Sequence, residues 1–254
     1  MFQLSDPAIQ EIFIHKFMAH ENYRKQFLAF KKQFDQNPRE FIIDWEERFP
    51  CLDDSTQGLG FEPHYTYHTA WAARILAENR PRCHVDISSA LYFATIVSAF
   101  IPVQYYEFRP PNIKLSGLNA QSIDLQQLPF EDNSVDSLSC MHVVEHLGLG
   151  RYGDSLNSDA DLQAIQELKR VLAHNGSLLF VVPIGKARIQ YNAHRIYSYE
   201  QIVGYFSELS LREFSLIPDN ALQTGMIRDA TRQDCDLQSW GCGCFWFVKN
   251  ESRS

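Results

Sequence analysis

The run His142-Val143-Val144-Glu145-His146 sets two histidines four residues apart with a glutamate between them. As a string it is H-x-x-E-H, the signature of one class of zinc peptidases. That chemistry needs both histidines on one helix and a further ligand downstream. Here His142 comes just after the stretch Val135 to Cys140, which reads as a strand, so His142 and Glu145 fall at a strand-to-helix turn. Peptidase chemistry therefore ranks last among the readings, and the bland alternative is that Glu145 and His146 orient the turn by hydrogen bonds. A second group, Gly241-Cys242-Gly243-Cys244 with Cys235 upstream, has the look of half a zinc site but lacks a second paired-cysteine motif.

Other residues with chemistry to offer sit just past predicted strands. Asp86-Ile87-Ser88-Ser89 ends one, Glu107 the next, Asp124-Leu125 follows a third region and Met141-His142 a fourth. In an open α/β sheet, ligands bind beyond the carboxyl ends of the strands, so these positions converge. Three acids and no basic cluster suit a cationic, hydroxyl-bearing ligand better than a phosphate-rich one. Dinucleotide binding needs glycines in the first loop, so that the pyrophosphate can approach the backbone at a helix N-terminus. The loop here, Ile87-Ser88-Ser89-Ala90, has none, which argues against NAD or FAD.

The elements that must hold these residues follow from the rhythm of the chain. Residues 1–60 are rich in Phe, Gln, Lys and Glu, with helical runs over Ile9 to His20, Tyr23 to Phe34 and Glu40 to Phe49. They read as a helical extension that ends in a turn cluster at 53–60. From residue 61 short strands alternate with helices: helix Thr69 to Ala77, strand 83–87, helix Ala90 to Phe100, strand 103–108, strand 135–140 and strand 177–182. Ser158 to Asp161 resembles a capping box opening a helix, Asn175-Gly176 a helix stop, and Pro183 a strand end. Segments 211–217 and 244–248 are late strands, the last antiparallel. The pattern is α/β: a doubly wound, mostly parallel seven-stranded sheet over 61–254, with the helical extension before it.

Composition narrows the partners. With 254 residues, 45% of them hydrophobic, and a net charge of −8, the chain lacks the basic face that nucleic acid requires. No apolar run is long enough for a membrane span, and the N-terminus has no leader-like n- and h-regions. Six scattered cysteines suit reduced thiols, hence a cytoplasmic protein.

The stretch IDLQQLPFEDNSVDSLSCMHVVEHL, followed by ELKRVLAHNGSLLFVVP, carries a resemblance. From His64 to about Val248 the chain resembles the class I, Rossmann-like SAM-dependent methyltransferases. It is most similar to a branch marked by HVDxxS, HVVEHxGLGRYGD and NAHR, which more usually has glycine where Ser88 stands. The resemblance implies S-adenosylmethionine as cofactor, with Asp86 and the Ile87–Ser89 backbone near its methionine end. It also implies Glu107 on the ribose, Asp124 on the adenine amino group beside the Leu125 backbone, and Met141 and His142 bordering the methyl. Tyr65, Tyr67 and His68 would roof the cofactor. For a hydroxyl acceptor, His142 is the first candidate base and His194 the second. Arg151, Tyr152, Asn192 and Arg195, on the loops after the fourth and fifth strands, would bind a small-molecule acceptor. Some related quinone-pathway O-methyltransferases hold a divalent ion with a Glu-x-x-Glu-His version of the same segment, which makes His142, Glu145 and His146 an optional metal set. A non-catalytic SAM-fold binding module is the reading from another class.

Overall fold

The structure is a computed structural model that describes residues 7–52 and 60–251, with side chains described from residue 16. The chain divides into two compact units, Met1–Gly60 and Phe61–Ser254. Among the described residues, no helix is long and apolar enough to cross a membrane.

In the first unit a single helix, α1 (Pro7–Phe34), runs through the junction where the sequence predicts two. His20-Glu21-Asn22 contains neither glycine nor proline, so nothing breaks it. The helix expected over Glu40 to Phe49 does not form; the segment is irregular with one turn. Between Pro38 and Pro50 there is too little chain to repay helix nucleation. Trp45 packs instead on Tyr23 and Phe27 of α1, with ring centroids 6.0 and 5.0 Å away. The turn cluster predicted at 53–60 lies, except for Gly60, outside the described residues.

The second unit opens with α2 (Pro63–Asn79), longer than predicted. Glu62 caps it, its carboxylate accepting from the backbone N–H of His64 (3.2 Å) and Tyr65 (2.6 Å), and Pro63 is preset for the first turn. Then follow β1 (His84–Ile87), α3 (Leu91–Val97), β2 (Val103–Glu107), β3 (Leu118–Ser122) and β4 (Val135–Met141). Next come α4 (Ala160–Val171), β5 (Leu172–Ile184) and a small hairpin of β6 (Arg188–Gln190) with β7 (His194–Ile196). The chain closes with α5 (Tyr199–Tyr205), β8 (Leu209–Ile217), α6 (Ala221–Thr224), α7 (Arg232–Asp236) and β9 (Gly241–Lys249).

The sheet order is β3-β2-β1-β4-β5-β9-β8. All neighbours pair in parallel except β9, which is antiparallel to both β5 and β8. Strand order reverses between β1 and β4, so a crevice opens there at the carboxyl ends. Successive residues of β5 serve opposite faces: Phe180 and Val182 belong to the core under α4 and α5, Leu179 and Val181 to the core under α2 and α3. Both faces are covered, as expected from the apolar strands.

Three local expectations need correction. Asp159, the residue before α4, makes no capping bond through its side chain, because Asp161 faces inward to Tyr197 and Arg195 instead of closing a box. Asn175-Gly176 does not stop a helix. Helix α4 runs straight into β5, and Asn175, at φ 62°, sits inside that strand where the β4–β5 register breaks between Val135 and Ser137. Pro183 stays within β5, opposite Cys242 of β9.

Candidate functional site

The crevice at the switch point holds a cavity of about 480 Å³. Its wall is built from the residues just past parallel strands: Ser88 after β1, Glu107 at the end of β2, Ile123 and Leu125 after β3, His142 after β4 and Tyr152 beyond it. Ser88, Glu107, Leu125, His142 and Tyr152, separate in sequence, therefore share one chamber.

The first loop shows how the sequence manages without glycine. Ser88 adopts φ 55°, the left-handed region in which an L-residue is strained by roughly 1–2 kcal/mol. Its backbone N–H donates to the Tyr106 carbonyl (2.7 Å) and its hydroxyl to the same oxygen (3.2 Å). Ser88 thus stands in a glycine conformation, held there by the edge of β2. Neither Ser88 nor Ser89 caps α3, whose N-cap is Ala90 without a side-chain bond.

Asp86 requires a correction. It is fully buried and does not face the cavity. One oxygen accepts from the Ser89 N–H (3.0 Å) and the other from the Ser139 hydroxyl. Ser139 is also 2.8 Å from Nε2 of His84, whose Nδ1 is 2.8 Å from the Ser137 hydroxyl. This polar ladder runs between β1 and β4 inside the core, where Asp86 and Ser139 are register partners. Burial pushes the Asp86 carboxyl up to about 6, against the downward pull of its bonds to Ser139 and Ser89. Asp86 shapes the loop from beneath. Ile87 and Met141 are also sealed in the core, and Ser89 is buried beside them. Asp124 is exposed outside the cavity wall, with one oxygen accepting from the Gln126 N–H (2.9 Å).

The HVVEH segment forms no helix carrying both histidines. His142 takes φ 58° and Val144–His146 is a single 3₁₀ turn. Glu145, fully buried, lies between the two imidazoles, with Oε1 2.9 Å from Nδ1 of His142 and 3.7 Å from Nε2 of His146. The peptidase reading fails for want of that helix, and the optional metal set His142–Glu145–His146 does not converge: among the described residues the ligand atoms that gather within 4.8 Å are those of His64, His142 and Cys242.

The assignment of His142 as general base also fails. Both its ring nitrogens are engaged, Nδ1 with Glu145 and Nε2 with the Cys242 sulfur at 3.3 Å. Burial works to lower its pKa, but the Cys242 sulfur and the Glu145 carboxylate together raise it to about 10, so it has no lone pair to offer. His194, the second candidate, stacks on Trp240 (5.9 Å) and is not on the cavity wall. Burial, then neighbouring His146, keep its pKa low.

On the acceptor side, Arg195 is a structural clamp. Buried, it donates to the carbonyls of Leu147 (2.6 Å) and Ser158 (3.1 Å) and pairs with Asp161 (3.5 Å). A guanidinium so committed cannot bind an acceptor. Arg151 donates to the Ala193 carbonyl (2.9 Å) and lies 5.1 Å from the Tyr152 ring centroid, joining the two loops; Asn192 is exposed beside them.

Of the aromatic roof, Tyr65 (5.2 Å) and His68 (5.1 Å) close over the His142 ring, while Tyr67 packs on Phe61 (5.8 Å). Sequence reasoning missed His64, whose ring is stacked parallel to His142 at 5.8 Å, and Trp240, 4.8 Å from His64. It also paired Cys242 with Cys235, which belongs to the core on the opposite face of the sheet. Five of the nine histidines in the chain gather here: His64, His68, His142, His146 and His194. That H-x-x-x-H spacing at the start of a capped helix was the available signal for two of them.

The family model described as Caenorhabditis protein of unknown function, DUF268, matches residues 113–209. No curated protein matches the chain. Among solved structures, the N-methyltransferase NodS of Bradyrhizobium japonicum, in complex with S-adenosyl-L-homocysteine, is similar at 15% identity and a TM-score of 0.51, over 72% of this chain and 86% of that one. A Haloferax volcanii protein assigned as a methyltransferase, solved with the Trm112 activator, is similar at 18% identity and a TM-score of 0.52, over 76% of this chain and 92% of its own. A Galdieria sulphuraria protein assigned as a sarcosine dimethylglycine methyltransferase gives 14% and 0.52, over 72% and 85%. At these identities the likeness establishes the fold, which is that of the class I, Rossmann-like SAM-dependent methyltransferases.

Proposed function

We propose that the chain is a SAM-dependent methyltransferase that methylates a hydroxyl of a small molecule. The observation that carries the reading is the cavity at the β1/β4 switch point, walled by Glu107, the left-handed Ser88 turn and the apolar pair Ile123 and Leu125. This wall fits the cofactor. A carboxylate suits a ribose diol, the apolar pair suits one face of an adenine, and nothing in the glycine-free turn serves a pyrophosphate. When bound, the cofactor supplies an electrophilic methyl group on a sulfonium.

The residues of the chain would then position the acceptor and take its proton. Holding the two reactants together supplies most of the rate in such a displacement. His146 takes over the base role from His142. It lines the cavity, and its Nδ1 sits 2.7 Å from the Ala193 carbonyl, an acceptor, so this nitrogen carries the proton; Arg151, 3.2 Å from the same Nδ1, donates to that carbonyl too. The lone pair is thereby placed on Nε2, with the Glu145 carboxylate 3.7 Å away to stabilise the imidazolium formed. Arg151 and Tyr152 form the acceptor-side rim.

Calorimetry tests the reading. The chain should bind SAM or S-adenosylhomocysteine and leave NAD unbound. NAD binding without any response to SAM refutes it. SAM binding with no methyl consumption across a library of hydroxylated acceptors would favour the non-catalytic binding module.

A further inference from the structure

Beside the cavity, three segments distant in sequence bring metal-ligating atoms together. His64 comes from the first turn of α2, His142 from the end of β4 and Cys242 from β9, and one ligand atom from each lies within 4.8 Å of the others. All three side chains are nearly or fully buried. The Cys242 sulfur is already 3.3 Å from Nε2 of His142. In a tetrahedral zinc site, with Zn–S near 2.3 Å and Zn–N near 2.05 Å, ligand atoms stand roughly 3.4–3.6 Å apart. One edge of the site is therefore already close to its bonded length, and closing the rest takes about an ångström of side-chain movement.

We propose that His64, His142 and Cys242 bind a zinc ion, with Glu145 as the carboxylate that orients His142.

Two independent features favour this over a plain hydrogen bond between ring and sulfur. The first is the second shell. Nδ1 of His142 donates to Glu145 (2.9 Å), which fixes the ring so that the nitrogen facing the sulfur is Nε2, the one whose proton a metal would displace. Metal-bound histidines are oriented by just such carboxylates. The second is unsatisfied polarity. Glu145 Oε2 is buried without a partner, and so is Nε2 of His68, whose ring is 5.1 Å from that of His142. Buried polar atoms left unpaired are costly and uncommon. A cation at this place offsets that cost through its charge.

The charges also balance. Two neutral imidazoles, one thiolate and Zn²⁺ sum to +1, and the Glu145 carboxylate brings the site to zero. Binding breaks the Cys242 S–H bond and the His142 Nε2–H bond, forms a Zn–S and a Zn–N bond in their place and releases both protons to solvent. Thiolate plus imidazole is a donor set that suits zinc and excludes magnesium or calcium. Three protein ligands leave a fourth position for water or another ligand. Trp240, 4.8 Å from His64 and 47% exposed, sets the site close to the surface.

The test uses the full chain, stripped with chelator, kept reduced and free of SAM, then titrated with zinc against a chromophoric competitor and separately with cobalt(II). Expected are one equivalent of metal, a proton release that tracks it, and a thiolate-to-cobalt charge-transfer band with tetrahedral visible bands. Cys242→Ser, isosteric and checked for fold by circular dichroism, should abolish the charge-transfer band. His64→Gln should weaken zinc binding by more than about 100-fold, and Glu145→Gln by about 10–100-fold. In the wild-type chain zinc should also protect Cys242 from alkylation, read by mass spectrometry, which keeps the test informative should a variant misfold. Absence of stoichiometric binding, a charge-transfer band that survives Cys242→Ser, or an alkylation rate at Cys242 unchanged by zinc would each overturn the assignment. No arm uses SAM or an acceptor, so this result and the methyl-transfer reading stand or fall separately.

Discussion

Replacing Asp86 with asparagine should stabilise the protein at neutral pH, and the gain should shrink as the pH falls. The carboxyl is fully buried, and its pKa rises from an ordinary 3.8 to about 6, first because burial disfavours the charge. An acid whose folded pKa exceeds its unfolded value favours the fold when protonated. That contribution is complete below about 3.8 and is lost as the pH climbs through 6, so at neutral pH the carboxylate weighs against the fold. A displacement of this size corresponds to about 3 kcal/mol. Integrated between about pH 4.5 and about pH 7.5, the wild-type chain loses about 2 kcal/mol that the variant keeps. Asparagine can preserve both contacts: its carbonyl accepts from the Ser89 N–H, and its amide donates to the Ser139 hydroxyl, which turns its own proton to Nε2 of His84. At about 2–4 °C per kcal/mol for a chain of this size, the melting-temperature advantage of Asp86→Asn should grow by about 4–8 °C over that pH range. Scanning calorimetry at the two pH values measures it. A variant equally destabilised at both would show that the ladder needs the charge, and the account of Asp86 would be wrong.

Glu107→Ala removes the carboxylate that the end of β2 places on the cavity wall. A charged acceptor bond is worth about 1.5–3 kcal/mol, so SAM affinity by calorimetry should fall about tenfold or more while the melting temperature of the free chain barely moves. Arg195→Ala strands buried Asp161 and frees the carbonyls of Leu147 and Ser158. It should cost about 3–5 kcal/mol in chemical denaturation, and Arg195→Lys should not restore the loss, because one ammonium cannot span those partners. Gly148 has φ 72°, and an added Cβ would lie 1.9 Å from the Asn157 carbonyl oxygen. Gly148→Ala should therefore lower stability by about 2 kcal/mol or more, with a drop in melting temperature as the readout, whereas the same change at Gly204, where nothing lies within 4 Å, should be tolerated.

What the sequence could reveal follows from how local each cause is. A residue that immediately follows a parallel strand must lie on the carboxyl edge, so Ser88, Glu107 and His142 could be placed without coordinates. Which way a residue within a strand points is legible too. His84 and Asp86 alternate with Val85 and Ile87, and Ser137 and Ser139 alternate with Leu138 and Cys140. Two polar period-2 patterns in adjacent buried strands imply that they face each other, which is the ladder that draws Asp86 inward. Arg195 was beyond reach, because its partners are carbonyls on the loop around Leu147 and Ser158, and backbone acceptors leave no trace in residue types.

HVVEH shows the same limit from the other side. The string carries the residue types of a metal site, but a motif acts through the backbone beneath it, and here that backbone is a left-handed residue followed by one 3₁₀ turn. Glu145 consequently falls between two imidazoles instead of beside a metal-bound water. The groups that gather with His142 come from elsewhere. His64 is brought by a helix whose start is set by Glu62 and Pro63, and Cys242 by a strand inserted antiparallel between β5 and β8. Neither neighbour can be inferred from spacing, since each depends on where the sheet closes. The histidine that the motif puts first is thus the one residue at which three segments meet, and its chemistry is set by the two that the motif does not contain.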